Sequence, residues 1–291
     1  MTSTSLDISG KIDEGTKDAL IRIKAAADSL NVPFFIIGAT ARDIFLKHIY
    51  GLAEHRLTLD MDFGVSLSRW EDFFALKKIL IEEYEFESQG EIQRLRRGKM
   101  LIDIVPFGAI SGSDRKLLWP PDESRQMTTL GFDETLAASP LVRVSTSPDV
   151  AVKVCSLAGL VILKLISWQE RYPERPDDAD DILEIMEKYE LAIGIDRLYC
   201  EARDVLTEEG FDNQMAAIRV LGQDMVGIAG PSTGRLVRSI LDEETKEDSQ
   251  FKLAVDMARG KMMLDVDIDL RNIIFKVSKL RQGFGEGLRE I

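Results

Sequence analysis

Asp60 and Asp62 stand one residue apart in Arg56-Leu57-Thr58-Leu59-Asp60-Met61-Asp62-Phe63, where polar and apolar residues alternate. A period of two marks a half-buried strand, and residues i and i+2 of a strand share a face. The two carboxylates therefore project side by side, with Arg56 and Thr58 on the same face. Carboxylates held that close repel unless a cation lies between them. An all-oxygen donor set suits a hard ion such as Mg²⁺ or Mn²⁺. A third carboxylate, Asp103, interrupts the apolar run Leu101-Ile102-Asp103-Ile104-Val105, and an acid buried there needs a partner.

The elements that position these acids follow from local pattern. Phe34-Phe35-Ile36-Ile37, bounded by Pro33 and Gly38, reads as a buried central strand. Gly38 permits the close backbone approach that a phosphate needs. The helix expected from about Ala41 to Tyr50 would present unsatisfied N–H groups at its start. Arg42 either reaches a phosphate there or pairs with a nearby carboxylate. Trp70 to Tyr84 reads as a helix. Glu91 to Val105 reads as a hairpin turning at Arg97-Gly98, with Asp103 on the returning strand and Pro106 closing it. Arg94, Arg96, Arg97 and Lys99 form the densest basic cluster, either a solvated turn or one wall of a groove for nucleic acid. Residues 111–140 are loop-rich and carry no pattern that sets their fold, and Leu141 to Val144 reads as a short strand.

Ser147-Pro148-Asp149 reads as a helix start, and Val150, Val154, Leu157, Val161, Leu165 and Trp168 follow at helical spacing. Lys164 lies on this apolar helix, where the plain alternative is a snorkelling rim lysine. Arg175-Pro176-Asp177-Asp178 carries helix-start chemistry, with a proline and acids in the first turn. The rest is helical in pattern. A second Asp-x-Asp, Asp265 and Asp267, follows no glycine turn. The expected architecture is α/β, with a short mixed sheet flanked by helices over residues 1–146 and an all-helical region over 147–291.

Gly38-Ala39-Thr40, the stretch from Arg56 to Asp62 and the isolated Asp103 together resemble the nucleotidyltransferase superfamily with a polymerase-beta-type palm. Within it, the order R-x-T-x-D-x-D, apolar-Asp-apolar strand, helix with Lys164 and Asp-rich helix start is similar to the AbiEii-like toxin nucleotidyltransferases. Ala39 departs from the usual Gly-Ser or Gly-Gly turn, and Gly-Ala-Thr-Ala-Arg-Asp also resembles the Gly-Gly-x-x-Arg-Asp of tRNA CCA-adding enzymes. The resemblance implies Asp60, Asp62 and Asp103 as catalytic metal ligands, with Asp103 the base. It also implies Gly38, Ala39, Thr40, Arg42, Arg56, Thr58, Lys164 and Asp178 around an NTP. Its implied cofactor is Mg²⁺ or Mn²⁺, its acceptor a tRNA 3′ end, a protein hydroxyl or a small molecule such as an antibiotic, and its partner an antitoxin protein. A catalytically degenerate palm acting as a binding module is the non-enzymatic alternative.

Bulk properties bound these readings. The 291 residues suit one large domain or two ordinary ones, and 45% hydrophobic with 30% charged residues is a globular composition. A net charge of −13 argues against binding nucleic acid over the whole surface. No run is long and apolar enough to span a membrane, and Met1 to Asp7 lacks a signal peptide's basic and apolar regions. Cys155 and Cys200 make no disulfide framework, so a cytoplasmic location is expected. His48 and His55 sit beside no Ser or Cys in a triad-like pattern.

Overall fold

Turn chemistry and alternation build the first part of the chain. The computed structural model describes residues 6–52, 60–262 and 269–287. The chain divides into two compact units, Met1–Ser156 and Leu157–Ile291. In the first, β1 (Leu6–Asp7) is followed by α1 (Glu14–Ser29), β2 (Phe34–Ile37), and α2 (Gly38–Asp43) with its π-helical continuation Ile44–Ile49. Then come β3 (Asp60–Ser66), α3 (Trp70–Glu82), β4 (Glu87–Ser88), β5 (Arg94–Arg97) and β6 (Met100–Phe107). A separate hairpin of β7 (Lys116–Trp119) and β8 (Arg125–Thr128), α4 (Phe132–Ala138), β9 (Leu141–Thr146) and β10 (Asp149–Val154) complete the unit. The Asp13 side chain caps α1 by accepting from the Thr16 amide at 3.0 Å. Left-handed Asn31 (φ 56°) and Pro33 then turn the chain into β2.

The sheet has eight strands in the order β1-β9-β10-β2-β3-β6-β5-β4. It is mixed: β2 pairs antiparallel with β3, β3 parallel with β6, and β6 antiparallel with β5. Met61, Phe63, Val65, Ile102 and Ile104 are buried on one face of the central strands. On the other face, Gly64 makes room for an aromatic ring, because a Cβ there would stand 2.4 Å from Phe35. Phe35 packs its ring 5.7 Å from Phe107 and 6.3 Å from Phe132 of α4, closing that end of the face. The other end, where β3 begins, carries the acids.

Several expectations are corrected. The helix after β2 begins at Gly38 itself rather than Ala41 and widens into a π-helical turn at Ile44. Pro106 does not close β6; it pairs with Val65, and the strand runs on to Phe107. Residues 149–154 are a strand rather than the first turns of a helix. Val150, Val152 and Val154 are β-branched and alternate, whereas only Val150 and Val154 fit the helical period. Sheet pairing decides between the periods, since Lys153 and Val154 pair in parallel with Phe35 and Ile36 of β2. The break between units accordingly follows Ser156, after this strand, whereas 146/147 falls between β9 and its hairpin partner β10. The segment 111–140 supplies the β7–β8 hairpin and α4, with Trp119 buried against Trp70 at 5.6 Å.

The described residues of the second unit form helices only: α5 (Leu157–Arg171), α6 (Asp177–Asp196) with a π-helical turn at Arg197–Glu201, α7 (Arg203–Glu208), α8 (Asn213–Ile228), α9 (Pro231–Thr245), α10 (Lys252–Met262) and α11 (Leu270–Gly287). Glycines bring α8 and α11 into backbone contact: a Cβ on Gly283 would lie 1.9 Å from the Arg219 carbonyl oxygen. The Trp168 indole, buried in this unit, donates to Asp256 at 3.0 Å. No described helix is long and apolar enough to cross a membrane.

Candidate active site

Strand register assembles the acidic residues. In the parallel β3–β6 pair, Asp62 lies directly opposite Asp103, and Asp60 lies opposite Leu101. Directly opposed residues point to the same side of a sheet, so Asp60, Asp62 and Asp103 share one face. Asp60 is exposed, while Asp62 and Asp103 are half-buried. On the other flank of β3, Ile37 pairs with Asp62, which brings the glycine turn against that carboxylate. Gly38 has φ +65°, and a Cβ built on it would sit 2.1 Å from Asp62 Oδ2. Only glycine tolerates both the backbone angle and the contact. The Thr40 hydroxyl donates to the Asp60 carbonyl at 3.0 Å and ties the turn to the start of β3. Ala39 occupies the second position of α2, whose start carries no side-chain cap.

The hairpin adds a base to this row. In the antiparallel β5–β6 pair, Arg94 lies opposite Asp103. Its Nε donates to Asp103 Oδ1 at 2.8 Å and its Nη2 to Oδ2 at 2.6 Å. This two-point clamp raises the Arg94 pKa above its ordinary value, with Glu91 and Asp60 adding smaller contributions and partial burial opposing them. Three adjacent strands thus carry Asp62, Asp103 and Arg94 in register. Among the described residues, no three His, Cys, Asp or Glu side chains are grouped as metal ligands. Both Asp103 oxygens are engaged by Arg94 instead. The donor chemistry fits a hard divalent ion, with three carboxylates on one face beside a turn that leaves Asp62 room, once Asp103 is released from the guanidinium.

Arg42 is buried and donates to Asp43 from Nε at 2.9 Å and Nη2 at 2.7 Å, which is the ion-pair alternative. Arg56, Thr58, His55, Asp265 and Asp267 lie outside the described residues. Lys164 and Asp178 belong to the helical unit, where they meet each other. The Lys164 ammonium is 3.1 Å from Asp178 and 2.5 Å from Asp181, and all three residues are buried. Burial disfavours the ammonium, but Asp181 and then Asp178 outweigh it and hold the Lys164 pKa above its ordinary value. Lys164 is therefore a paired interior cation rather than a snorkelling rim residue.

No family model matches the sequence, and no curated protein matches it. Solved structures similar to it include ANT(2")-Ia in complex with adenylyl-2"-tobramycin (20% identity, 69% of this chain, 97% of that one, TM-score 0.33). An antigenic nucleotidyltransferase-like protein from Paracoccidioides brasiliensis is similar at 16% identity over 69% and 93% of the two chains, with TM-score 0.37. A CCA-adding enzyme in complex with ATP is similar at 16% identity over 97% and 82%, with TM-score 0.25.

The arginines of the basic cluster are paired within the chain. Arg96 pairs with Glu87, and Arg97 pairs with Asp18 at 2.7 Å while lying over the Phe86 ring. Arg94 as the partner of Asp103 was absent from the sequence-derived site, although the signal was present. Counting outward from the turn at Gly98 pairs 97 with 100, and hence 94 with 103.

Proposed function

We propose that the α/β unit is a nucleotidyltransferase palm that moves a nucleoside monophosphate from an NTP to an acceptor hydroxyl. The observation that carries this reading is the register that sets Asp62 beside Asp103, with Asp60 on the same face and Gly38 against the Asp62 carboxylate. In this reading Asp60, Asp62 and Asp103 hold Mg²⁺ or Mn²⁺. Bound there, the ion supplies positive charge against the triphosphate oxygens and the attacking hydroxyl. The backbone of Gly38, Ala39 and Thr40 lies beside the acids and serves the phosphates. The acceptor oxygen forms a bond to the α-phosphorus, the bond from that phosphorus to the β-phosphate oxygen breaks, and pyrophosphate leaves. Asp103, once released by Arg94, takes the acceptor proton.

Arg94, Arg96 and Arg97 are each paired with a carboxylate, which lends RNA no separate support as acceptor. A tRNA acceptor, the AbiEii-like toxin role and an antitoxin partner rest on the sequence motifs. A roughly two-decade loss is expected when one electrostatic element of such a site is removed. Incubating the protein with each labelled NTP, Mg²⁺ and total RNA, a protein mixture or aminoglycosides tests the reading. Label should pass to one acceptor class, and Asp62→Asn should cut it by about a hundredfold or more. Turnover unchanged in Asp62→Asn would reject the assignment. The bidentate hold of Arg94 on Asp103 favours one second reading, a degenerate palm that binds nucleotide without turnover. Pyrophosphate release separates the two, because both bind NTP but only an active palm frees pyrophosphate when acceptor is added.

A further inference from the structure

We infer that Arg94 is a latch on the third carboxylate: it holds Asp103 as a resident counter-cation, and a divalent ion completes its site only by displacing it. The inference rests on the reading of Asp60, Asp62 and Asp103 as metal ligands. Its physical basis is the row across β3, β6 and β5, in which Asp103 has an acid on one side and a base on the other. Two like charges set in register cost free energy unless a cation neutralises one of them. Arg94 provides that cation from within the chain, and its planar fork takes both Asp103 oxygens at 2.8 and 2.6 Å.

The same geometry gives Arg94 a cost for a second cation. A guanidinium that bonds both oxygens of a carboxylate neutralises its charge and takes one lone pair on each, so an incoming ion meets a weakened donor until at least one of those bonds breaks. Other acids stand beside the pair, since Asp62 lies directly opposite Asp103 and Asp60 lies on the same face of the adjoining strand. A guanidinium released from Asp103 thus stays inside an acidic neighbourhood, and a bound triphosphate would add negative charge for it to face. The hairpin turn at Gly98 (φ +59°) keeps Arg94 and Asp103 in register by local pairing, so the latch re-forms whenever the ion leaves. Arg96, two residues on, does not share this role, because it pairs with Glu87 of the outer strand.

Two measurements on the full chain test this without reference to turnover. The first is Mn²⁺ affinity, read by electron paramagnetic resonance at low salt in the wild type and in Arg94→Gln. Removing the competitor should tighten Mn²⁺ roughly tenfold, the equilibrium weight of a partly exposed two-point ion pair. The second needs no destabilised variant: the Arg94 Nε–H proton resonance of the wild type, assigned through its absence in Arg94→Lys, followed during Mg²⁺ titration. A clamped Nε–H gives a protected signal, and that signal should be lost as Mg²⁺ saturates the site. Equal Mn²⁺ affinity in the wild type and Arg94→Gln, or an Arg94 signal that survives saturating Mg²⁺, overturns the latch while leaving the metal-site reading standing. Absence of Mn²⁺ binding in both proteins removes the metal-site reading itself, and the latch with it.

Discussion

Gly38 and Asp62 occupy a space that admits no methyl group between them. With φ +65° at Gly38 and an added Cβ at 2.1 Å from Asp62 Oδ2, Gly38→Ala must push the carboxylate aside or distort the turn. Displacing a reacting group by about 1 Å costs on the order of a hundredfold in rate. NTP-dependent labelling by Gly38→Ala should therefore fall by about that factor, while circular dichroism still reports a folded chain; labelling at the wild-type rate would remove the glycine from the site. Lys164 obeys a different rule. It is buried between Asp178 and Asp181, and Lys164→Met leaves both acids without their cation. Breaking a buried pair from one side costs about 3 kcal/mol or more. Urea unfolding should show that loss in Lys164→Met, and a loss below about 1 kcal/mol would show that the pair contributes little. The composition of both sites is written in the sequence, but their partners are not. That Asp103 answers to Arg94, and Lys164 to Asp178 and Asp181, depends on strands and helices brought alongside one another.

At the level of elements, the two units are built by different means. The sheet is specified by alternation: Met61, Phe63 and Val65 are buried behind Asp60 and Asp62, which follows from period two alone. Strand β10 shows where pattern ceases to decide. Val150, Val152 and Val154 satisfy the strand period and two of them also satisfy a helix, and the choice is made by the pairing available on β2. The helical unit depends on close approach. At the α8–α11 crossing, added Cβ atoms on Gly222 and Gly283 would lie 2.4 and 1.9 Å from carbonyl oxygens of the facing helix. Backbone cannot yield as a side-chain tip can, so Gly283→Ala should destabilise the unit by about 2 kcal/mol or more. A melting curve superimposable on the wild type would mean that the helices separate without cost. Neither glycine is distinguishable in sequence from an ordinary helix-weakening residue.

For the molecule as a whole, the net charge of −13 makes carboxylates the main reporters of pH. Hydrogen bonds from Lys279 and Arg219 hold Glu209 below its ordinary range, and Arg238 and Arg281 do the same for Asp242, in both cases against the opposing effect of burial. Such groups stabilise the fold above their ordinary pKa, and the stability is lost as pH falls through the lowered values. Glu244 runs the other way. Burial pushes its carboxyl up, although it accepts from the Leu253 amide at 2.8 Å. Its contribution is present below the ordinary pKa and is lost as pH rises through the raised one. Glu244→Gln, which keeps the accepting oxygen, should accordingly gain stability relative to the wild type between pH 4 and pH 8, as read by paired thermal melts. A constant difference across that range would show that Glu244 ionises without penalty.

Local sequence determined the central strands β2, β3 and β6 and that Asp60 and Asp62 share the polar face of β3, because side-chain alternation and turn residues act over a few positions. It also determined the glycine bend, since a left-handed backbone beside a carboxylate leaves no alternative residue. Register and neighbour were settled only in three dimensions: the pairing of β3 with β6 that sets Asp62 against Asp103, the placement of β10 on the edge of β2, and the guanidinium that answers the third acid. Those choices depend on long-range hydrogen-bonded pairing and on burial, which are energies of the folded chain rather than of any short stretch of it.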